Sequence, residues 1–140
     1  MAGKLTGLGA AVLVDNSSGS AQTISNDLNS FSFSTPMAVQ DVTGIDKYAI
    51  ERLLLLADGS ATMGGIFDVD ANKSHAVFSD VASTRVTRTV KIQPTAASVP
   101  YLSMEMLLTD YQVSRSNSGE LTWSVPASLQ DGTAPTWTNS

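Results

Sequence analysis

The sequence contains no cysteine and only one histidine, His75. Without cysteine the protein cannot form disulfides, iron–sulfur clusters, thiolate zinc sites or a cysteine nucleophile. One histidine alone also leaves no transition-metal site of ordinary composition. A hydrolytic triad would need His75 beside a serine and an acid, and the chain has no Gly-x-Ser-x-Gly motif. We therefore expect no catalytic residue, no metal, no cofactor and no enzyme activity.

Charged side chains are scarce as well, at 15% of 140 residues, and aromatic side chains make up 6%. An average soluble protein carries roughly 25% charged residues. The balance is acidic, with 13 acids, 8 bases and a net charge of -5, which excludes a conventional DNA or RNA binder. Hydroxyl residues take the place of charge, namely 19 Ser and 14 Thr. Because 42% of the chain is apolar, intrinsic disorder is also excluded.

Apolar runs are short, as in Leu53–Ala57, whereas a membrane-spanning helix needs about 20 apolar residues. The first residues contain no apolar run of signal-peptide length. We expect a soluble protein that is made in the cytoplasm and does not contact a membrane.

Period-two alternation dominates the chain and predicts β-strands. In Ser30–Ser34, for example, serine alternates with phenylalanine. Further strands are predicted at 10–14, 50–56, 60–67, 84–93, 101–114 and 119–128. The fold class is therefore mainly β, an antiparallel sandwich or barrel of six to eight strands.

Alternation also assigns the residues of a strand to its two faces. In the 84–93 strand, Arg88 shares a face with Val86, Val90 and Ile92. In the 101–114 strand, Leu102, Met104, Met106 and Leu108 share one face, and Ser103, Glu105 and Leu107 share the other.

One short helix is predicted after Asp70, a possible N-cap, because Val77, Phe78 and Val81 form one apolar stripe. Residues 36–48 have no clean period and predict a long loop between strands. A turn-rich tail begins at about residue 130. Residues 1–140 are expected to form a single domain.

Two local motifs have an ordinary structural interpretation. Asp68–Asn72 resembles the start of a calcium loop, but Lys73 stands at the sixth position, where glycine is needed, so a capped turn is favoured. Gly64 and Gly65 are not followed by a phosphate-binding motif, and they favour a strand bulge.

Three groups of segments, in their order and spacing, resemble the tail tube (major tail) proteins of long-tailed bacteriophages, especially the short subunits of non-contractile actinobacteriophage tails. The first group is residues 23–33, 41–44 and 46–47, the second is 74–78 and 84–89, and the third is 109–111, 119–126 and 131–137.

The resemblance implies a β-sandwich with a flanking helix, whose strands join a barrel shared by a ring of six copies. It implies that the rings stack into a tube that conducts double-stranded DNA without binding it specifically. The implied partners are further copies of the chain, the tape measure protein, the tail terminator and the tail-tip proteins. The implied location is the virion tail, assembled in the host cytoplasm.

Set beside this resemblance, alternation suggests a hydroxyl-rich, weakly acidic lumen. The candidate lumen-facing residues are Ser30, Ser32, Ser34, Ser103, Glu105, Glu120, Thr122 and Ser124. The candidate inter-ring loop residues are Gln40, Asp41, Thr43, Asp46, Lys47 and Tyr48. The candidate subunit-interface charges, expected to turn away from the lumen, are Arg85, Arg88 and Lys91.

Two alternatives stay open at this point. The first is a ligand- or receptor-binding β-sandwich module, for which Trp137 is the one candidate aromatic platform, although a clasp on a neighbouring subunit is favoured for this residue. The second is the tube protein of a contractile tail or injection system.

Overall fold

The protein is described by a computed structural model that covers residues 4–139. These residues form eleven strands, one short α-helix and one turn of 3-10 helix, Ser25–Asp27. The strands are β1 Ala11–Asp15, β2 Ala21–Thr23, β3 Leu28–Ser34, β4 Met37–Asp41, β5 Arg52–Ala57, β6 Ser60–Ile66, β7 Arg88–Gln93, β8 Tyr101–Leu108, β9 Gln112–Arg115, β10 Leu121–Leu129 and β11 Trp137–Thr138. The prediction of a mainly β fold with one short helix is confirmed.

Nine strands belong to one sheet, in the order β2-β1-β7-β8-β10-β6-β3, with β9 paired to β10 and β11 paired to β8. Every pairing in this sheet is antiparallel. One hydrophobic core draws buried residues from β1 near one end of the order and from β6 near the other. The sheet therefore curves around a shared core, as in a sandwich or partial barrel.

The predicted alternation is present in the strands that line this core. Along β7 the side chains of Arg88, Val90 and Ile92 are buried, and along β8 those of Leu102 and Met104 are buried. The intervening residues are more exposed. Period two arises because successive side chains in a strand point to opposite faces of the sheet.

The helix, α1, spans Ser74–Phe78 and is shorter than expected. Phe78 is fully buried, and the centroid of its ring lies 5.1 Å from that of Trp123. The predicted N-cap at Asp70 is wrong. The first backbone N–H of the helix, at Ser74, instead donates to Oδ2 of Asp27 at 2.9 Å. A short helix with one apolar face is stabilised by its packing on the sheet. Among residues 4–139, no helix is long and apolar enough to cross a membrane.

The predicted bulge at Gly64 and Gly65 is confirmed, because the register of β3 against β6 shifts between Leu28 and Ser30, opposite these glycines. A Cβ atom on Gly65 would lie only 1.8 Å from the backbone oxygen of Asp27. Glycine at this position is therefore required by the close approach of two backbones.

Three predicted segments differ from the structure. The 101–114 strand is interrupted between Leu108 and Gln112, and the 84–93 strand begins only at Arg88. The first part of the predicted 36–48 loop is a strand, β4, which pairs with β5. The sequence of β4 alone does not predict this strand, because its hydrogen-bonding partners lie in a segment more than ten residues away.

The C-terminal tail is turn-rich as expected, but it ends in β11, where Trp137 is paired opposite Leu102 of β8. The ring of Trp137 lies 5.6 Å from that of Phe33 in the same chain. Trp137 therefore packs on its own sheet but stays 40% exposed, so a contact with a neighbouring subunit stays a prediction.

Candidate functional site: a polar sheet face and an exposed hairpin

The outward face of β3, β6 and β10 carries rows of small residues, most of which bear a hydroxyl group. Directly opposed residues of antiparallel strands share a face. One row is Ser30, Gly64 and Ser124, the next is Ser32, Thr62 and Pro126, and the third is Ser34, Ser60 and Ser128. Ser30, Ser32, Ser34 and Ser124 thus lie on one surface, the polar sheet face, and that this face lines a lumen stays a prediction.

Strand β8 extends the polar sheet face. Leu107 is paired opposite Ser128, so Glu105 and Ser103, two and four residues earlier, lie on the same side. The carboxylate of Glu105 is half-buried and accepts a hydrogen bond of 2.7 Å from the Thr89 hydroxyl. On β8 the face thus carries the Ser103 hydroxyl, the hydrogen-bonded Glu105 carboxylate and, at the end of the strand, the exposed side chain of Leu107.

Two candidate residues at the start of β10 differ in their placement. Thr122 lies within the strand, opposite Ile66 of β6 and Ser114 of β9. Glu120 lies in the turn before the strand, where its backbone N–H donates to the Ser116 hydroxyl at 3.3 Å. Alternation within a strand therefore does not place Glu120 on the polar sheet face.

The three candidate interface charges, Arg85, Arg88 and Lys91, differ in their burial and their partners. Arg85 is exposed, as expected. Arg88 is 1% exposed; its guanidinium donates to the backbone oxygen of Val77 and pairs with Asp80 at 2.8 Å. The prediction that Arg88 is a charge at a subunit interface is wrong, because both its partners belong to its own chain.

Lys91 corrects a further expectation. It is paired opposite Ser103, so it shares the polar sheet face instead of turning away from it. Its ammonium nitrogen lies 4.3 Å from the centroid of the Tyr101 ring, an arrangement that holds the cation against an aromatic face.

The second candidate surface is the β4–β5 hairpin, residues 37–57, which forms a separate two-stranded sheet. It continues the β3–β6 pair beyond a backbone hydrogen bond of 2.8 Å from the Asp58 N–H to the Pro36 oxygen. Every residue of β4 is exposed, and so is every residue of β5 before Ala57. An isolated two-stranded hairpin is marginally stable in water.

The hairpin is apolar on both faces. Leu53 and Leu54 are consecutive, so they point to opposite faces, and they are 54% and 65% exposed. Met37, Val39, Leu55 and Leu56 add further exposed apolar surface. Contiguous exposed apolar surface of this kind marks an interaction site. Period-two alternation does not reveal this surface, although the run of four leucines at 53–56 is a sequence signal for it.

The connection between β4 and β5 is ordered by its own polar groups. Asp41 accepts hydrogen bonds from the hydroxyl and the backbone N–H of Thr43, at 2.6 and 2.9 Å, and these bonds lower the pKa of the Asp41 carboxyl. The Thr43 hydroxyl oxygen accepts the N–H of Glu51 at 2.8 Å, and Lys47 lies 3.6 Å from the Glu51 carboxylate. Gln40 lies on β4 opposite Leu53.

At its end the connection makes a tight turn from Gly44 to Lys47, closed by a backbone hydrogen bond of 3.2 Å. The side chains of Ile45 and Tyr48 are completely exposed there. Asp46 forms no ion pair with any residue of the described chain. The candidate loop residues therefore lie at the far end of the hairpin, well outside the core.

This protein is similar to known proteins in its three-dimensional structure. No family model matches the sequence. No curated protein matches it either. Among solved structures, the SPP1 tail tube aligns with 98% of this chain and 80% of its own, with a TM-score of 0.72 at 9% sequence identity. The protein has a tail-tube fold.

Two structures of gene transfer agent particles support the same fold. A chain of the native virion aligns over 96% of this chain and 99% of its own, with a TM-score of 0.75 and 16% identity. A chain of the empty-particle tail, refined with C6 symmetry, aligns over 98% and 99%, with a TM-score of 0.71 and 18% identity. The tail-tube fold thus includes almost every residue, so the hairpin and the polar sheet face are parts of it.

Proposed function

We propose that this protein is the structural, non-enzymatic subunit of a phage-type tail tube, in which rings of six copies stack into a hollow tube. The observation that carries the proposal is the β4–β5 hairpin, whose leucines are exposed on both faces in a chain with a tail-tube fold. A hairpin with apolar side chains on both faces is stabilised when each face is buried against another surface. In the proposal, further copies of the chain bury both faces. The C6 symmetry of the similar particle tail supports six copies in each ring.

The polar sheet face then lines the lumen. Hydroxyl groups interact weakly with phosphate, and the Glu105 carboxylate repels it, so double-stranded DNA slides past without specific binding. Lys91 is the cation on this face, and its position over the Tyr101 ring shortens its reach into the channel. Closure of strands from six copies into one barrel also removes exposed sheet edges, which otherwise recruit unwanted strands.

The far end of the hairpin then makes the contact between rings. Gln40, Asp41, Thr43, Asp46, Lys47 and Tyr48 form this contact in the proposal. Its polar and charged groups stay partly hydrated, so the contact tolerates the small displacements that a bending tail requires.

The proposal places the protein in the tail of a virion, after assembly in the host cytoplasm. Its partners are neighbouring copies along the tube, the tape measure protein in the lumen before ejection, and the terminator and tip proteins at the two ends. The same surfaces serve a sheathed or an unsheathed tail, because they face the lumen and the neighbouring rings. Trp137 packs on Phe33 within the chain, so no observation favours the ligand-binding module.

Electron microscopy of the purified protein tests the proposal. Stacked rings with a continuous central channel and six-fold symmetry are the expected result. Particles that stay single and globular over the whole accessible range of concentration and salt would overturn it.

A further inference from the structure

A groove of about 240 Å³ lies between the segment that follows α1 and the end of β8. Its lining is mostly apolar and includes Val81, Val86 and Leu108, together with Leu107, which lies at the end of β8 where the groove borders the polar sheet face. Val86 and Leu107 are each about 40% exposed, so the groove opens to solvent.

Two arginines also line this groove, and their states differ. The guanidinium of Arg88 is held by Asp80 and the Val77 oxygen beneath the surface. Arg85 is exposed and forms no ion pair within residues 4–139. The groove therefore presents an apolar floor with one available positive charge.

The turn at the far end of the hairpin has the complementary composition. Ile45 and Tyr48 are completely exposed apolar side chains, and Asp46 between them is an acid without an ion pair among the described residues. The neighbouring charges are already engaged, since Lys47 lies near Glu51 and Asp41 is bonded to Thr43. The turn therefore presents apolar groups with one available negative charge.

We propose that the hairpin turn of one copy docks in this groove of another copy, with Ile45 against the apolar floor and Asp46 facing Arg85. The inference rests on the proposed function, and it deepens it by naming the surface that receives the hairpin. Full exposure of Ile45 means that the turn does not occupy the groove of its own chain. The groove volume is below the roughly 300–1,000 Å³ of small-molecule sites, which favours an inserted side chain over a cofactor or ligand.

The contact is heterologous, because the turn and the groove are different patches of the same chain. Heterologous contacts propagate into closed rings or open helical filaments, whereas a self-complementary patch stops at a dimer. One turn-to-groove contact per subunit thus suffices to extend an assembly, which is the behaviour that a stacked tube requires.

Cysteine pairs test the contact directly, because the natural chain contains no cysteine to interfere. Chains carrying Asp46→Cys are mixed with chains carrying Arg85→Cys, assembled, and oxidised. We expect covalent dimers wherever the turn of an Asp46→Cys chain meets the groove of an Arg85→Cys chain, and each dimer should contain one chain of each variant. Chains carrying Arg115→Cys replace the Arg85→Cys chains in the control, because Arg115 is another exposed arginine but lies on β9, away from the groove lining. Intact tubes that cross-link no better than this control would overturn the docking site and leave the tube proposal standing.

A charge exchange gives a second measurement that does not depend on sulfur geometry. Asp46→Arg and Arg85→Asp are each expected to raise the protein concentration needed for assembly about tenfold, as close interfacial charge pairs do. The double variant Asp46→Arg with Arg85→Asp should restore the natural value. Circular dichroism confirms that each variant is folded. Additive effects in the double variant would contradict the pairing, whereas wild-type protein that forms no rings at all would contradict the tube proposal itself.

Discussion

The guanidinium of Arg88 and the carboxylate of Asp80 are 2.8 Å apart, and together they join β7 to the segment after α1. The arginine side chain is 1% exposed, while that of the aspartate is 30% exposed. A buried cation of this kind depends on its partner, because removal of the partner leaves an uncompensated charge out of water.

Asp80→Asn should therefore lower the free energy of unfolding by about 3 kcal/mol at neutral pH, the lower end for a broken buried pair because Asp80 keeps some solvent contact. Burial raises the pKa of Asp80, but hydrogen bonds from Ser17 and Arg88 together with the charge of Arg88 outweigh it, so the folded-state pKa lies below the ordinary 3.8. The stabilisation is thus present above pH 3.8 and is lost as the pH falls through the lowered value.

Urea unfolding of the dispersed subunit at neutral and acidic pH measures both effects. The difference between wild type and Asp80→Asn should shrink toward low pH. Asp46→Asn serves as control, since Asp46 is exposed and forms no ion pair within the described chain. Equal stability of Asp80→Asn and wild type at neutral pH would show that the pair adds nothing.

A second prediction concerns Asp27, which is 4% exposed and accepts the first N–H of α1. Asp27→Ala should cost about 1–3 kcal/mol, because it leaves the Ser74 N–H without a partner. Asp27→Asn keeps an oxygen acceptor and should retain most of the stability at neutral pH. Equal losses in the two variants, measured by urea unfolding, would argue against the hydrogen bond as the cause.

The pH dependence at Asp27 has the opposite sign to that at Asp80. Burial raises the pKa of Asp27, and the nearby Asp68 carboxyl raises it further. The folded state therefore binds this proton more tightly than the unfolded chain, so the contribution of Asp27 is fully present below pH 3.8 and declines as the pH rises through the raised pKa. Asp27→Asn should abolish this decline, and unfolding measurements from pH 3 to 7 would detect it.

Gly65→Ala should destabilise the protein by about 3 kcal/mol, the upper end for overpacking, because the new Cβ would lie 1.8 Å from the Asp27 oxygen and force β3 and β6 apart. Gly7→Ala is the matched control, since its Cβ would meet only the Pro94 oxygen at 3.7 Å, an ordinary contact. Thermal unfolding compares the two variants. A stable Gly65→Ala protein would disprove the close approach of the two backbones.

Leu54→Lys should leave the subunit folded but prevent tube formation, because it puts a charge on the apolar hairpin without disturbing the core. Val69→Lys is the control: Val69 is 69% exposed, similar to Leu54 at 65%, but lies outside the hairpin. Sedimentation and electron microscopy compare the assemblies. Normal tubes from Leu54→Lys would show that the hairpin is not part of the assembly interface. Loss of tubes in both variants would show that the effect is not specific to the hairpin.

Ser32→Cys tests the lumen. In dispersed subunits the new thiol should react with both a small maleimide and a polymer-linked maleimide, because Ser32 is exposed. In assembled tubes the small reagent should still react after entering the channel, whereas the polymer should be excluded. Reaction with both reagents in tubes would place Ser32 on the outer surface, and reaction with neither would place it in a subunit contact.

The core strands were predictable because alternation is a local property. A row such as Leu102, Met104 and Met106 reveals its face without reference to the rest of the chain. The same pattern placed Arg88 beside Val90 and Ile92, and that placement is correct. The charge of Arg88 alone predicts an exposed side chain, but Asp80, eight residues earlier, supplies the partner that makes burial possible.

The β4–β5 hairpin was less accessible from sequence. Strand β4 is exposed throughout, so it lacks the alternation of buried and exposed residues by which a strand is recognised. Its pairing with β5 is set by partners across the Gly44 turn, which no short window contains. The phase of the alternation changes across the interruption between Leu108 and Gln112. Leu108 of β8 is paired opposite the buried Ala127, whereas Val113 of β9 is paired opposite the buried Trp123, so a single period of two cannot describe both strands.

The hairpin also makes the stability of the folded subunit depend on subunit concentration. Under the proposed assembly its leucines leave water only against another copy, so the free energy gained there depends on subunit concentration. In a dilute subunit, the apolar side chains of β4 and β5 stay in water and add no burial energy. A subunit that binds to a growing end buries these side chains at once against the copies already assembled there. Elongation is then favoured over the start of new tubes, and the length of a tail can be set by whatever stops growth.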